Sequence, residues 1–146
     1  MARVLVGYYS RSGNTRKLAE TVAAAIEAGG HAVDCKEVGD IEVDSLTGYD
    51  GIILGTPVYY GTMAAEVKKL LDESVKLHGR LDGKVVGAFS SSANIGGGNE
   101  TAVTDIIHAL LIHGMIVQGD PKGDHYGPVA INSPDKRASE NAMRWP

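Results

Sequence analysis

The residues Ser10-Arg11-Ser12-Gly13-Asn14-Thr15 place three hydroxyls, a carboxamide and a glycine in six positions, a donor set suited to holding an anion. Their setting makes that chemistry specific. Arg3 to Tyr8 reads as a strand through Val4, Leu5 and Val6, and Leu18, Val22 and Ile26 then recur at helical spacing, so the segment lies where a strand hands over to a helix. Free backbone N–H groups and the positive end of the macrodipole favour an anion at such a point. Ser10, Ser12 and Thr15 add O–H donors, and an anion beside Arg16 and Lys17 relieves the conflict between two cations and the helix dipole. The segment contains neither GxxxxGK(S/T) nor GxGxxG, which argues against triphosphate hydrolysis and dinucleotide binding and leaves a monophosphate.

Two further stretches suit a flat ring. Thr56-Pro57-Val58-Tyr59-Tyr60-Gly61 sets two aromatics between a rigid proline and a glycine, and aromatic contacts add about 0.5–1.5 kcal/mol beyond the area they bury. Ser91-Ser92-Ala93-Asn94-Ile95-Gly96-Gly97, continuing through Gly98 to Asn99, exposes backbone amides with little side chain in the way, which suits the polar edge of a heterocycle. No Ser-His-Asp order, no paired carboxylates and no metal-ligand spacing stands out. His113 falls on a last helical turn before Gly114, where a histidine favours the dipole whether or not it does chemistry, and His108 reads as structural.

The elements that must position these loops alternate strand and helix along the chain, the pattern of a parallel sheet covered on both faces. A helix from about Thr15 to Ala28 stops at Gly29-Gly30. A strand follows from His31 to Val38, then an acidic connection from Asp40 to Asp50 and a strand from Gly51 to Leu54. Met63, Val67, Leu70 and Leu71 mark a helix reaching about His78, and Lys84 to Ser90 is the fourth strand. Val103, Ile106, Ile107, Leu110 and Leu111 mark the next helix, Met115 to Gln118 a fifth strand, and Ser133-Pro134-Asp135 an N-cap with proline at the first position of a short last helix. The expected fold is α/β: a doubly wound, five-stranded parallel sheet in order 2-1-3-4-5, with ligands outside the carboxyl ends of its strands. All three loops fall there, and one ligand with a phosphate, a flexible linker and a planar ring with a polar edge fits them: FMN.

The 146 residues suit one domain, 1–146, and 43% hydrophobic with 22% charged residues is a globular composition. A net charge of −4 argues against nucleic acid. Cys35, the only cysteine, excludes an intramolecular disulfide and a cysteine metal cluster, and reads as a small buried hydrophobe. With no signal-peptide core and no membrane-length apolar run, the expected location is cytoplasmic.

Through YYSRSGNT, GTPVYYGTMAAEVKKLLD, GGGNET, and LLIHGM followed by HYGPVAI, the chain resembles the flavodoxin family over nearly its whole length. It is most similar to the branch of NAD(P)H:quinone oxidoreductases of the Trp-repressor-binding-protein type. The resemblance implies that Ser10, Arg11, Ser12, Gly13, Asn14 and Thr15 bind the FMN phosphate and that Thr56, Pro57, Val58, Tyr59, Tyr60 and Gly61 meet the isoalloxazine. It further implies that Ser91, Ser92, Ala93, Asn94, Ile95, Gly96 and Gly97 wrap the ring edge, that Tyr126 adds a contact, and that His113 lies near the flavin as the catalytic candidate. The implied activity passes electrons from NAD(P)H through FMN to a quinone-like acceptor. The alternative is a non-enzymatic electron carrier between protein partners, in which flexible Gly61 lets the Tyr60–Gly61 peptide turn toward the flavin. The chain departs from those oxidoreductases in its short acidic link, where they carry a long insertion that helps build the acceptor site and the tetramer. Tyr59 stands where they have an arginine, and their tryptophan after the second helix is missing. A homo-oligomer and a single chain are both left open.

Overall fold

Short strands flanked by amphipathic helices can bury their apolar residues only by sharing one sheet between two helical layers. The computed structural model describes residues 1–145. Its strands are β1 Arg3–Tyr8, β2 Ala32–Glu37, β3 Gly51–Pro57, β4 Val85–Ser92, β5 Ile116–Val117 and β6 Val129–Ile131; its helices are α1 Asn14–Ala28, α2 Ala65–Glu73, α3 Asn99–Ile112 and α4 Lys136–Arg144. The sheet is parallel in the expected order β2-β1-β3-β4-β5.

Alternation along the strands sorts side chains to two cores. Leu5, Ile52, Leu54, Val86 and Ala88 face Val67, Leu70, Val103, Ile106 and Leu110, which belong to α2 and α3. Val6, Tyr8, Ile53 and Phe89 meet Leu18, Val22, Ile26, Ala138 and Ala142 of α1 and α4. The connection from Asp40 to Asp50 is more than an acidic link. Two 3-10 turns, Val38–Asp40 and Val43–Gly48, turn Val38, Ile41, Val43 and Leu46 into the first of these cores.

The sheet has six strands where the sequence indicates five. β5 pairs with Val85 and Val86, and β6 takes the same side of β4 further along, at Ser90 to Ser92. Residues 118–128 leave the sheet between them and are tied to α4 by Arg144 to Asp120 (2.7 Å) and Arg137 to Asp124 (2.8 Å). Val129-Ala130-Ile131 is too short for a period to register. Its return brings Gly127 against β4: with φ 144°, a Cβ there would lie 1.9 Å from the Ala88 carbonyl oxygen.

Three smaller expectations are also corrected. Cys35 is exposed, because β2 is an edge strand whose alternate residues are not all covered. Asp135, not Ser133, caps α4, its carboxylate accepting from the Ala138 amide at 2.8 Å, so Pro134 precedes the helix. The second helix ends at Glu73 and continues as a 3-10 turn, Ser74–Leu77.

Candidate functional site

β1, β3 and β4 end side by side, and the loops that leave them are the three in question. Gly13 turns the chain into α1 with φ 97°, a conformation for which glycine carries little penalty. Ser10 Oγ accepts from the amides of Gly13 (3.1 Å) and Arg16 (3.2 Å). Among the described residues the amides of Arg11, Ser12, Asn14 and Thr15 have no protein acceptor, which leaves four N–H donors in the segment that holds the Ser10 hydroxyl. That is the donor set a phosphate requires. Thr15 differs from its neighbours. Its side chain is buried and its hydroxyl shares a hydrogen bond with Ser91 Oγ at 2.7 Å, which joins the first loop to the third.

In the second loop the Thr56 hydroxyl donates to the Pro57 carbonyl (2.7 Å) and accepts from the Ala64 amide (2.9 Å), which ties the loop to the start of α2. Tyr59 and Thr62 exchange backbone hydrogen bonds of 3.0 and 3.2 Å around Tyr60 (φ 50°) and Gly61 (φ 79°). Two successive positive φ values make this a tight hairpin turn of the I′ kind. Left-handed backbone costs a non-glycine residue about 1–2 kcal/mol, yet Tyr60 occupies it with its side chain wholly exposed. An aromatic held at that cost on a rigid tip is a ready platform for a ring. Tyr59 is also exposed, though less so, and stands edge-on to Tyr9 with centroids 6.4 Å apart at 75°. Burial first, then the Glu66 carboxylate, push the Tyr9 phenol above its ordinary pKa, so it stays neutral.

The third loop is pinned by its last residue, to which the sequence gives no role. Asn99 is buried at the start of α3; its Nδ2 donates to Ser92 Oγ (2.9 Å) and the Ala130 carbonyl (3.2 Å), and its Oδ1 accepts from Ser90 Oγ (2.6 Å). β4, β6 and α3 are thereby locked together under the loop. Ser91 and Ser92 are buried at its base, while Ala93, Asn94, Ile95 and Gly96 stand exposed above it. Tyr126, exposed on the 118–128 segment, precedes the turn into β6.

His113 is not with them, and its assignment near the flavin is corrected. It follows the last residue of α3, whose 14 residues span about 21 Å, so it lies at the opposite end of the sheet from the loops. There it is buried, with Nε2 2.8 Å from Ser74 Oγ. The Ser74 hydroxyl donates to the Leu71 carbonyl at 2.6 Å, so His113 Nε2–H is the donor, and Nδ1 is buried without a partner in a ring that shares an apolar pocket with Leu46, Leu70, Leu110 and Met115. Burial, and after it the neighbouring His78, lower the pKa of His113 from the ordinary 6.5. A lowered base favours the neutral fold, so its contribution to stability is full above 6.5 and is lost as pH falls from there through the lower folded value. The urea midpoint is expected to drop on acidification from about pH 7 to about pH 5, and His113→Gln to flatten that part of the profile. An unchanged slope in the variant would assign the acid sensitivity elsewhere.

The same far end holds a cavity of about 450 Å³ lined by Ala2, His31, Asp50, Gln118 and Trp145. It lies at the amino ends of the strands, away from the switch point where such sheets bind ligands.

A doubly wound parallel sheet carrying an amide nest, an aromatic turn and an amide-rich loop at its carboxyl end defines a mononucleotide-binding redox domain. The Flavodoxin domain family matches residues 5–104, and the chain belongs to the flavodoxin family, whose cofactor is FMN. A flavodoxin of Aquifex aeolicus (strain VF5) is 37% identical, with 99% of this chain and 82% of that one aligned. An NAD(P)H dehydrogenase (quinone) of Rhodopseudomonas palustris (strain BisA53) is 38% identical over 82% of this chain and 71% of its own. Among solved structures, oxidised Flavodoxin 2 from Bacillus cereus superposes with a TM-score of 0.82 at 28% identity, covering 99% of this chain and 94% of that one. The flavodoxin, WrbA-like protein from Agrobacterium tumefaciens gives 0.80 at 26%, covering 98% and 91%. The residues present fit FMN: free amides for the phosphate, an exposed aromatic for the ring, and an exposed loop for its polar edge.

Proposed function

We propose that this chain is an electron-transfer flavoprotein that works between redox partners through an FMN held by residues 10–15, 58–61 and 91–98. Bound FMN supplies one- and two-electron redox chemistry that amino-acid side chains do not. The chain's part is to bind, orient and expose it. The 10–15 amides anchor the phosphate, Tyr60 backs the ring from outside, and the 91–98 loop offers N–H donors along the ring's polar edge. Phosphate contacts fix position, while the turn and the third loop decide how much of the ring partners can reach.

The observation that carries the carrier reading is the charge of the rim. Glu37, Asp40 and Glu42 follow one another at and just past the carboxyl end of β2, and Glu66 and Glu100 are the second residues of α2 and α3. All five are exposed and lie at the same end of the sheet as the loops. Set against the exposed Arg11, Arg16 and Lys17 on the α1 side, these carboxylates give the rest of the rim an acidic face, which favours positively charged partners and makes their encounter sensitive to salt. A second reading, NAD(P)H-driven reduction of quinones, is supported by relatives named for that activity at 36–38% identity.

Anaerobic mixing of the FMN-loaded protein with NADH and then NADPH separates the two. A carrier is expected to keep its oxidised flavin spectrum for minutes with either nucleotide, and to be reduced by a cationic redox protein at a rate that falls as salt rises. Bleaching by one nucleotide, followed by reoxidation with benzoquinone over repeated cycles, would instead establish the quinone oxidoreductase.

A further inference from the structure

The turn that carries Tyr60 is fastened to α3 through Thr101, a residue to which neither motif nor spacing gives a role. The Thr101 hydroxyl, in the first turn of α3, donates to the Gly61 carbonyl at 2.5 Å and also lies 2.9 Å from the Gly98 carbonyl. A hydroxyl has one hydrogen, so the two carbonyls share it. Gly61 and Gly98 meet backbone to backbone, for a Cβ on Gly98 would come within 2.8 Å of the Gly61 Cα and 3.2 Å of Thr101 Oγ1. A second tether lies one residue along, where the Thr62 hydroxyl donates to the Asp105 carboxylate on the next turn of α3.

We propose that Thr101 is a positioning residue whose hydroxyl latches the Tyr59–Thr62 turn to the start of α3 and so fixes where the Tyr60 platform stands relative to the third loop. The inference rests on the reading that this turn meets the FMN ring. Two features make the latch releasable as well as firm. When the turn moves away, the Thr101 hydrogen stays satisfied on Gly98, so opening leaves no unpaired donor behind. The turn also closes on itself through the Tyr59 and Thr62 backbone hydrogen bonds, so it keeps its shape when it moves off α3. Thr101 thus supplies part of what keeps the turn closed, from a side chain that need not touch the cofactor.

The test compares Thr101→Val, which keeps the shape and removes the hydroxyl, with Thr101→Ser, which keeps the hydroxyl, and with Tyr60→Ala. FMN affinity is read by fluorescence titration, and amide exchange is followed at Tyr59 to Thr62 in the protein without FMN. Thr101→Val is expected to loosen FMN roughly two- to tenfold, the equivalent of one neutral hydrogen bond, and to speed exchange in the turn while Val103 to Leu110 exchange as before. Thr101→Ser is expected to restore both. If Tyr60→Ala loosens FMN but Thr101→Val changes neither affinity nor exchange, the latch is overturned. Loss of stability across the whole fold in both Thr101 variants overturns it too, because the residue is then merely structural. If Tyr60→Ala leaves FMN affinity unchanged, the placement of the turn against the ring is overturned, whatever Thr101→Val does to exchange.

Discussion

Riboflavin, which lacks only the phosphate, is expected to bind on the order of 10²- to 10⁴-fold more weakly than FMN, because at least two hydrogen bonds to a charged group, each about 1.5–3 kcal/mol, disappear with it. The expectation comes from the amides of Arg11, Ser12, Asn14 and Thr15, which have no protein acceptor among the described residues. Side-chain substitutions in this loop are expected to cost less, since the main-chain donors stay. Thr15→Ala loses the hydrogen bond to Ser91 and loosens the first loop from the third. Gly13→Ala meets nothing within 4 Å, so its effect comes from φ 97° alone, about 1–2 kcal/mol or at most roughly thirtyfold in FMN affinity. Fluorescence titration with both flavins checks the whole series. Equal affinity for the two would remove the phosphate from the account.

The second large effect lies under the site. Gly55→Ala is expected to destabilise the fold by about 3 kcal/mol or more, because the added methyl would sit 2.0 Å from the ring of Phe89, a fully buried side chain with no room to turn away. The same carbonyl region holds the first loop in place, since the Tyr9 amide donates to the Gly55 oxygen at 3.2 Å. FMN affinity is therefore expected to fall along with the urea midpoint. Phe89→Leu frees space, so the double variant is expected to be more stable than the sum of the two single changes. Strict additivity would show that the contact does not govern the position.

How much of this was legible in the sequence depended on contrast. The order of the sheet could be read because apolar runs such as Val4 to Val6 and Ile52 to Leu54 change to helical spacing within a few residues, and because glycines mark the turns. The amide nest was legible for the same reason, since a hydroxyl-rich segment between two periods has one place to be. β6 was not, because three residues behind Pro128 carry no period, and their pairing depends on Gly127 packing against Ala88. Cys35 alternates like an inward residue, but only the position of β2 at the sheet edge decides its exposure. Asn99 and Thr101 look like any polar start of a helix until β6 and the Tyr60 turn are set beside them. The distance of His113 from the loops is legible, because a helix that begins beside the third loop must end far from it; its placement near the flavin rests on the family resemblance alone.

FMN binding at the carboxyl ends of β1, β3 and β4 is tested most directly by amide hydrogen exchange with and without FMN. Slowed exchange is expected in residues 10–15, 58–61 and 91–98, with His31, Asp50 and Trp145 around the far cavity unchanged. Protection around that cavity, with the three loops exchanging as before, would contradict it.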